Sequence, residues 1–283
     1  MSDSRKKTKM VPLPSQAIIP ERDTAEKPIL EVHRLGINFG GLVAVEDFNI
    51  AVGRTEICGL IGPNGAGKTT IFNLLTKVYQ PTSGAILLDG HDTSNMNTAQ
   101  INKAGIARTF QNIRLFPTLS VEDNVKIGLH NQVKYSMATG ILRLPRFFSS
   151  ERRARERAME LLDIFDMTHL ASHRASSLPY GAQRRLEFIR ALVTNPKLLL
   201  LDEPAAGMNP SETEELMSNI EKIRDQFQIA IILIEHDMRL VMGICEGIAV
   251  LNYGKIIAKG TPEEIQSNPL VIEAYLGKKK GDQ

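Results

Sequence analysis

Residues 62–70 read GPNGAGKTT and follow directly on the apolar run Ile57-Cys58-Gly59-Leu60-Ile61. The stretch satisfies G-x-x-x-x-G-K-[ST], with Gly62, Gly67, Lys68 and Thr69 in the required places. Glycine has no Cβ, so the loop Gly62-Pro63-Asn64-Gly65-Ala66-Gly67 can wrap closely enough for backbone N–H groups to face phosphate oxygens. Lys68 has the reach for β- and γ-phosphates, and the Thr69 hydroxyl suits Mg²⁺. Downstream, Thr70 opens a segment with Ile71, Leu74, Leu75 and Val78 at helical spacing, which sets the phosphates on a helix N-terminus. Strand, glycine-rich turn and helix in that order predict a nucleoside triphosphate site that uses Mg²⁺ as cofactor.

A chain of 283 residues has room for one large domain or two packed lobes. A formal net charge of +2 gives no case for a nucleic-acid binder, so no nucleic-acid partner is expected. Cys58 and Cys245 lie far apart inside apolar stretches, as small core residues do in a reducing compartment. No apolar run approaches the ~20 residues that span a bilayer. The basic start, MSDSRKKTKM, leads into proline-broken sequence without a signal-peptide core. The expectation is a cytoplasmic chain that meets the membrane through a partner. Residues 1–27 carry three prolines and scattered charges and read as a disordered basic arm; residues 277–283 read as a flexible tail.

From Ile29 onward, Leu30, Val32, Val43, Val45, Phe48 and Ile50 alternate in short runs broken by glycines, as strands and hairpins do. A turn at 81–84, a strand at 85–88 and a polar loop with a short helix over 91–105 follow. The middle, from about Val121 to Ala191, is helical in character, and Ser120 with Asp123 resembles an N-cap. Within it, Ala154, Ala158, Leu161, Leu162 and Phe165 form the apolar face of an amphipathic helix over 151–167. Residues 198–201 and 229–234 are uninterrupted apolar runs, the mark of parallel strands covered on both faces, with a helix over 211–226 between them. A hairpin around Asn252-Tyr253-Gly254 and one helix over 262–276 close the chain. Strands flanking a helical insertion make a two-lobed α/β design.

The run Leu198-Leu199-Leu200-Leu201 ends in Asp202-Glu203, two adjacent carboxylates. Alternation along a strand would turn them to opposite sides, which suits different roles. Asp202 would hold Mg²⁺ through its water shell, and Glu203 would act as general base on the attacking water. A second apolar strand delivers His236 to its end, where ligands sit in open α/β sheets. There it can donate to a γ-phosphate and keep Glu203 and the water aligned. Gln111, in Arg108-Thr109-Phe110-Gln111-Asn112, has both donors and acceptors and can sense Mg²⁺ or water; its neighbours alone equally describe a surface glutamine.

The order phosphate loop, Gln111, LPYGAQ at 178–183, LLLLDE at 198–203 and IEHD at 234–237 resembles the ATP-binding subunits of ABC transporters, over nearly everything after residue 27. The resemblance implies a RecA-like P-loop NTPase core with an antiparallel β-subdomain and an inserted α-helical subdomain at about 112–192, together filling 28–276. It makes ATP the nucleotide and Phe39 the candidate for stacking on adenine, the alternative being an edge-strand core aromatic. It also implies that two subunits close head to tail, so that Tyr180 and Gly181 meet the nucleotide held by the partner. The common signature is LSGGQ; here Pro179 stands for Ser, Tyr180 for Gly and Ala182 for Gln. A lost hydroxyl donor to a charged group costs ~1.5–3 kcal/mol if uncompensated. Asn209 stands where Asp is usual and can still hydrogen-bond across a dimer, without charge. Arg114, Leu115 and Phe116 are the candidates for meeting a membrane subunit.

Residues 39–50, the insertion around 130–150, and residues 202–210, 233–265 and 268–277 resemble one of the two ATPase subunits of bacterial branched-chain amino-acid importers. That resemblance implies a second ATP-binding subunit, normally a different one, two membrane permease subunits and, indirectly, a periplasmic binding protein. It places the chain at the cytoplasmic face of the inner membrane. Urea or amide importers are close alternatives, as is a lipopolysaccharide exporter, which normally lacks the long insertion. A soluble ATPase of this kind acting on ribosomes or DNA carries tandem cassettes or long coiled-coil arms, and neither occurs here. A catalytically dead sensor is opposed by intact Lys68, Glu203 and His236.

Overall fold

The computed structural model describes residues 27–109, 113–129 and 145–276. Gln111, most of the 130–150 insertion, the expected arm before Lys27 and the expected tail lie outside the described residues. In chain order the strands are β1 Leu30–Phe39, β2 Leu42–Val52, β3 Ile57–Ile61, β4 Ser83–Leu88, β5 His91–Asp92, β6 Ile106–Arg108, β7 Leu198–Asp202, β8 Ala230–Ile234, β9 Gly247–Asn252 and β10 Lys255–Gly260. The described helices are α1 Lys68–Leu75, α2 Thr98–Ala104, α3 Val121–Gly128, α4 Pro145–Ile164, α5 Tyr180–Leu192, α6 Pro210–Phe227, α7 Met238–Ile244, α8 Pro262–Ser267 and α9 Pro269–Leu276.

The chain divides into two compact units, one running to Arg108 and resuming at Lys197, the other spanning Thr109–Pro196. The first unit holds two sheets. One is ordered β10-β9-β3-β8-β7-β6, parallel except for the edge strand β10. Its inner strands β3, β7 and β8 are buried at every residue, which is why their sequences read as unbroken apolar runs. The other is antiparallel, ordered β2-β1-β4-β5. One buried cluster links both sheets through α1, with Phe48 and Ile50 from β2, Phe72 and Leu74 from α1, and Leu200 and Ile232 from the parallel sheet.

The two ends of the first unit meet on neighbouring strands. Lys197 and Leu198 both donate their N–H to the Gly105 carbonyl, at 2.8 and 3.0 Å, and Ala107 pairs with Leu199. Asp89 adds an ion pair, accepting from Lys197 Nζ at 2.6 Å and from Arg54. The Lys197 and Arg54 hydrogen bonds hold its carboxyl below the ordinary 3.8, at about 2. A carboxylate whose folded pKa is depressed stabilises the fold above its unfolded pKa and loses that contribution as pH falls through the folded value. Asp89→Asn is therefore expected to lower the thermal midpoint at neutral pH, with the gap to the parent closing between about pH 4 and pH 2. Calorimetry across that range checks it; a gap independent of pH removes the ion pair as its cause.

In the second unit, α3 is capped by Ser120, whose Oγ accepts from the Asp123 N–H at 3.0 Å. Ala154, Ala158, Leu161, Leu162 and Phe165 are buried, as the helical spacing required, although α4 ends at Ile164, one residue before the last of them. Gly128 lets α3 approach α5 closely, since a Cβ there would lie 2.5 Å from Val193 Cγ1 and 2.9 Å from the Arg190 carbonyl.

Two expected elements differ. The helix after the phosphate loop ends at Leu75 rather than near Val78, where the Thr76 hydroxyl bonds back to the Phe72 carbonyl at 2.7 Å and Lys77 turns left-handed. The single helix expected over 262–276 is two, because Pro269 has no N–H and holds Asn268 in extended backbone.

Candidate active site

The phosphate loop leaves β3 at Gly62 and enters α1 at Lys68, with Gly67 left-handed as the N-cap residue and no side chain capping the helix. The first-turn N–H groups are therefore left for an anion. Lys68 Nζ donates to the carbonyls of Gly62 and Pro63 at 2.7 and 2.9 Å, folding over the loop. Burial lowers its pKa, while the nearby carboxylates of Glu203 and Asp202 pull the other way. Thr69 is exposed, Thr70 half-buried.

The backbone behind the loop explains Gly62 and Gly67. A Cβ on Gly62 would lie 2.0 Å from the Leu251 carbonyl oxygen, and one on Gly67 3.0 Å from that of Ala44. The β9–β10 turn wedges between: Gly254 donates its N–H to the Ala66 carbonyl at 2.9 Å, and its own carbonyl accepts from Glu46 at 3.0 Å. A Cβ on Gly254 would stand 2.5 Å from the Ala44 carbonyl. Sequence alone marked this glycine only as a hairpin turn, since its packing against the loop depends on how β9 folds back. A cleft of about 470 Å³ beside the loop is lined by residues 63–66, Asn252, Tyr253, Ile257 and part of α9. Lys68, Asp202 and Glu203 do not line it.

Parallel register brings the ends of β7 and β8 side by side, Asp202 opposite Ile234. Strand alternation was expected to part Asp202 from Glu203; the structure parts them differently. β7 stops at Asp202, and Glu203 takes a left-handed φ of 48° while its N–H bonds the Ile234 carbonyl at 2.9 Å. Such a conformation in a non-glycine residue costs ~1–3 kcal/mol and is held by its surroundings. Glu203 Oε1 lies 2.9 Å from His236 Nε2. Glu235, which the motifs did not single out, is 4% exposed and fixes both ends of this arrangement. Its Oε1 accepts the Ala205 N–H at 2.7 Å and its Oε2 the His236 N–H at 2.9 Å.

Asp202 Oδ2 accepts from Arg108 Nη2 at 2.6 Å, and Arg108 Nη1 donates to Asn73 Oδ1 at 2.7 Å. In sequence Arg108 is only a neighbour of Gln111, and nothing local signals a partner on another strand. For Mg²⁺, no group of three or more His, Cys, Asp or Glu among the described residues forms a self-sufficient metal site. One carboxylate and one hydroxyl, Asp202 and Thr69, nevertheless fit a hard cation that takes its remaining oxygens from phosphates and water.

Phe39 ends β1 and is 42% exposed, which sets aside a core role; Tyr79 meets it edge-on, ring centroids 5.2 Å apart. Gln111 lies outside the described residues. In the second unit, Pro179 is the N-cap residue of α5 without a side-chain cap, and Tyr180 and Gly181 form its first turn. A Cβ on Gly181 would meet nothing within 4 Å, and Tyr180 Oη accepts from Arg184 Nε at 3.3 Å. Arg190 stacks over the Phe116 ring at 5.2 Å and donates to the Arg114 carbonyl. Asn209 caps α6, its Oδ1 accepting from the N–H groups of Ser211 and Glu212, both at 3.0 Å.

Over residues 45–206 the chain matches the family described as ABC transporter, and over 255–280 one described as branched-chain amino acid ATP-binding cassette transporter. It is 47% identical over 251 residues to the high-affinity branched-chain amino acid transport ATP-binding protein BraF of Pseudomonas aeruginosa, covering 89% of this chain and 98% of that protein. The same figures hold for the high-affinity branched-chain amino acid transport ATP-binding protein LivG of Escherichia coli. A solved nucleotide-free ATP-binding cassette from an ABC transporter superposes with a TM-score of 0.77 at 29% identity, spanning 89% of this chain and 100% of the other.

Proposed function

Because the chain belongs to the ABC transporter family as an ATP-binding subunit, we propose that it is the ATPase driving a branched-chain amino-acid importer. Identity of 47% along 98% of a branched-chain transport subunit carries this reading. In it, Lys68 and the first-turn N–H groups of α1 hold the β- and γ-phosphates, and Phe39 stacks on adenine. Thr69 and, through water, Asp202 would hold Mg²⁺, which would supply charge neutralisation on those phosphates; motif order assigns Gln111 to the same metal. Glu203 takes a proton from the attacking water, and His236 keeps that carboxylate aligned; the 2.9 Å contact between them supports the pairing.

The second nucleotide face comes from a partner's signature segment, and this chain's Tyr180 and Gly181 serve the partner in return. The partner is a second ATP-binding subunit, normally a paralogue, and the pair drives two permease subunits fed by a periplasmic binding protein. The chain then sits at the cytoplasmic face of the inner membrane. Among the described residues no helix is long and apolar enough to cross a membrane. Affinity-tagged chain purified from native membranes is expected to bring down two hydrophobic permeases, and its deletion to abolish ATP-dependent leucine, isoleucine and valine uptake. Recovery of ribosomes or DNA instead, or uptake that survives deletion, overturns the assignment.

A further inference from the structure

Arg108 is the last residue of the first unit before the chain passes into the second, and its guanidinium is held from three sides. Nη2 donates to Asp202 Oδ2 at 2.6 Å, Nη1 donates to Asn73 Oδ1 at 2.7 Å, and the group lies 5.5 Å from the Phe72 ring centroid. Both side chains of the ion pair are 8% exposed, so this is a desolvated, two-anchored contact rather than a surface pair. Asp202 is thus provided with a counter-charge by the protein itself. A buried carboxylate left without one is strongly destabilising.

We propose that Arg108 is a positioning residue that serves as a built-in counter-cation for Asp202, and that Mg²⁺ and the guanidinium compete for this carboxylate. The proposal rests on reading Asp202 as the metal-side carboxylate. A divalent cation drawn to Asp202 approaches a fixed positive group already bonded to Oδ2, so each weakens the other's hold. Linkage makes the coupling reciprocal: whatever loosens Arg108 tightens metal binding, and metal binding loosens Arg108. The residue so loosened is the one from which the chain continues to Thr109 and on towards Gln111.

The test is Mn²⁺ binding, read by electron paramagnetic resonance on the full-length chain with a non-hydrolysable ATP analogue, beside thermal midpoints with and without metal. Arg108→Met is expected to bind Mn²⁺ about 5-fold or more tightly than the parent, within the usual range of coupling. Its midpoint should fall without metal and recover on metal addition by more than the parent's rises. Arg108→Lys keeps a charge and is expected to bind Mn²⁺ close to the parent. Unchanged or weaker Mn²⁺ binding by Arg108→Met overturns the proposal and leaves Arg108 a structural prop. Should that variant not fold, Asn73→Leu, which removes only the second anchor, must shift Mn²⁺ affinity in the same direction, and no shift or weakening decides against. Asp202→Asn separates the two layers. Parental Mn²⁺ binding by that variant means the metal-side reading itself is wrong and takes the proposal with it, whereas lost binding beside an unmoved Arg108→Met refutes the competition alone.

Discussion

Glu203→Gln is expected to lower ATP turnover in the assembled transporter by ~10²–10⁴-fold, the usual contribution of a positioned general base. ATP affinity should stay within about twofold, because the interaction removed acts in the transition state rather than in binding. Glutamine has the same shape, its amide oxygen can still accept from His236 Nε2, and the backbone of residue 203 keeps its bond to the Ile234 carbonyl. What it cannot do is take a proton. Lys68 and the α1 N-terminus, which face the phosphates in this reading, are untouched. Single-turnover hydrolysis beside equilibrium ATP binding separates the two effects. Hydrolysis that survives unchanged takes the general base away from Glu203.

The second large effect is expected at Gly62. Its φ of 149° and the 2.0 Å approach of a would-be Cβ to the Leu251 carbonyl oxygen leave no room for alanine. Either the loop or β9 must move, and β9 is held by β3 on one side and β10 on the other. Backbone strain and overpacking together set the cost at about 2–5 kcal/mol. Lys68 Nζ bonds the Gly62 carbonyl, so the displacement carries directly to the amine proposed to bind phosphate. Gly62→Ala is expected to weaken ATP binding by ~10-fold or more, since 1.4 kcal/mol already suffices for that. Calorimetric ATP titration and chemical denaturation check the two parts separately. An alanine variant with parental stability and affinity refutes the crowding argument.

What could be read from sequence was whatever is encoded in adjacent residues. The phosphate loop, the Asp202-Glu203 pair and His236 each sit at the end of an apolar run, and the runs at 57–61, 198–201 and 229–234 became β3, β7 and β8 within a residue. The ABC ATPase fold was legible through the order of those motifs. What escaped depends on partners distant in the chain. Arg108 finds Asp202 only because β6 lies beside β7, and Gly254 finds Ala66 only once β9 and β10 have turned back. Glu203 shows a second kind of gap, since a left-handed backbone is not inferable from a glutamate. Asn209 shows a third: its carbonyl oxygen, considered as a contact across a dimer, already caps its own helix. Gln111 remains an expectation from motif order.

The seam where Gly105 binds Lys197 and Leu198 has an evolutionary meaning. Residues 109–196 stand in the chain as a parenthesis, opened and closed on neighbouring strands. The sheet is sealed across that opening by its own backbone, so the text inside can be lengthened, trimmed or rewritten while the sentence around it stays grammatical. Insertions are tolerated where their two ends already lie together. If, as expected from sequence, Arg114, Leu115 and Phe116 meet a membrane subunit, the same ATPase core is refitted to a new partner by editing the parenthesis alone.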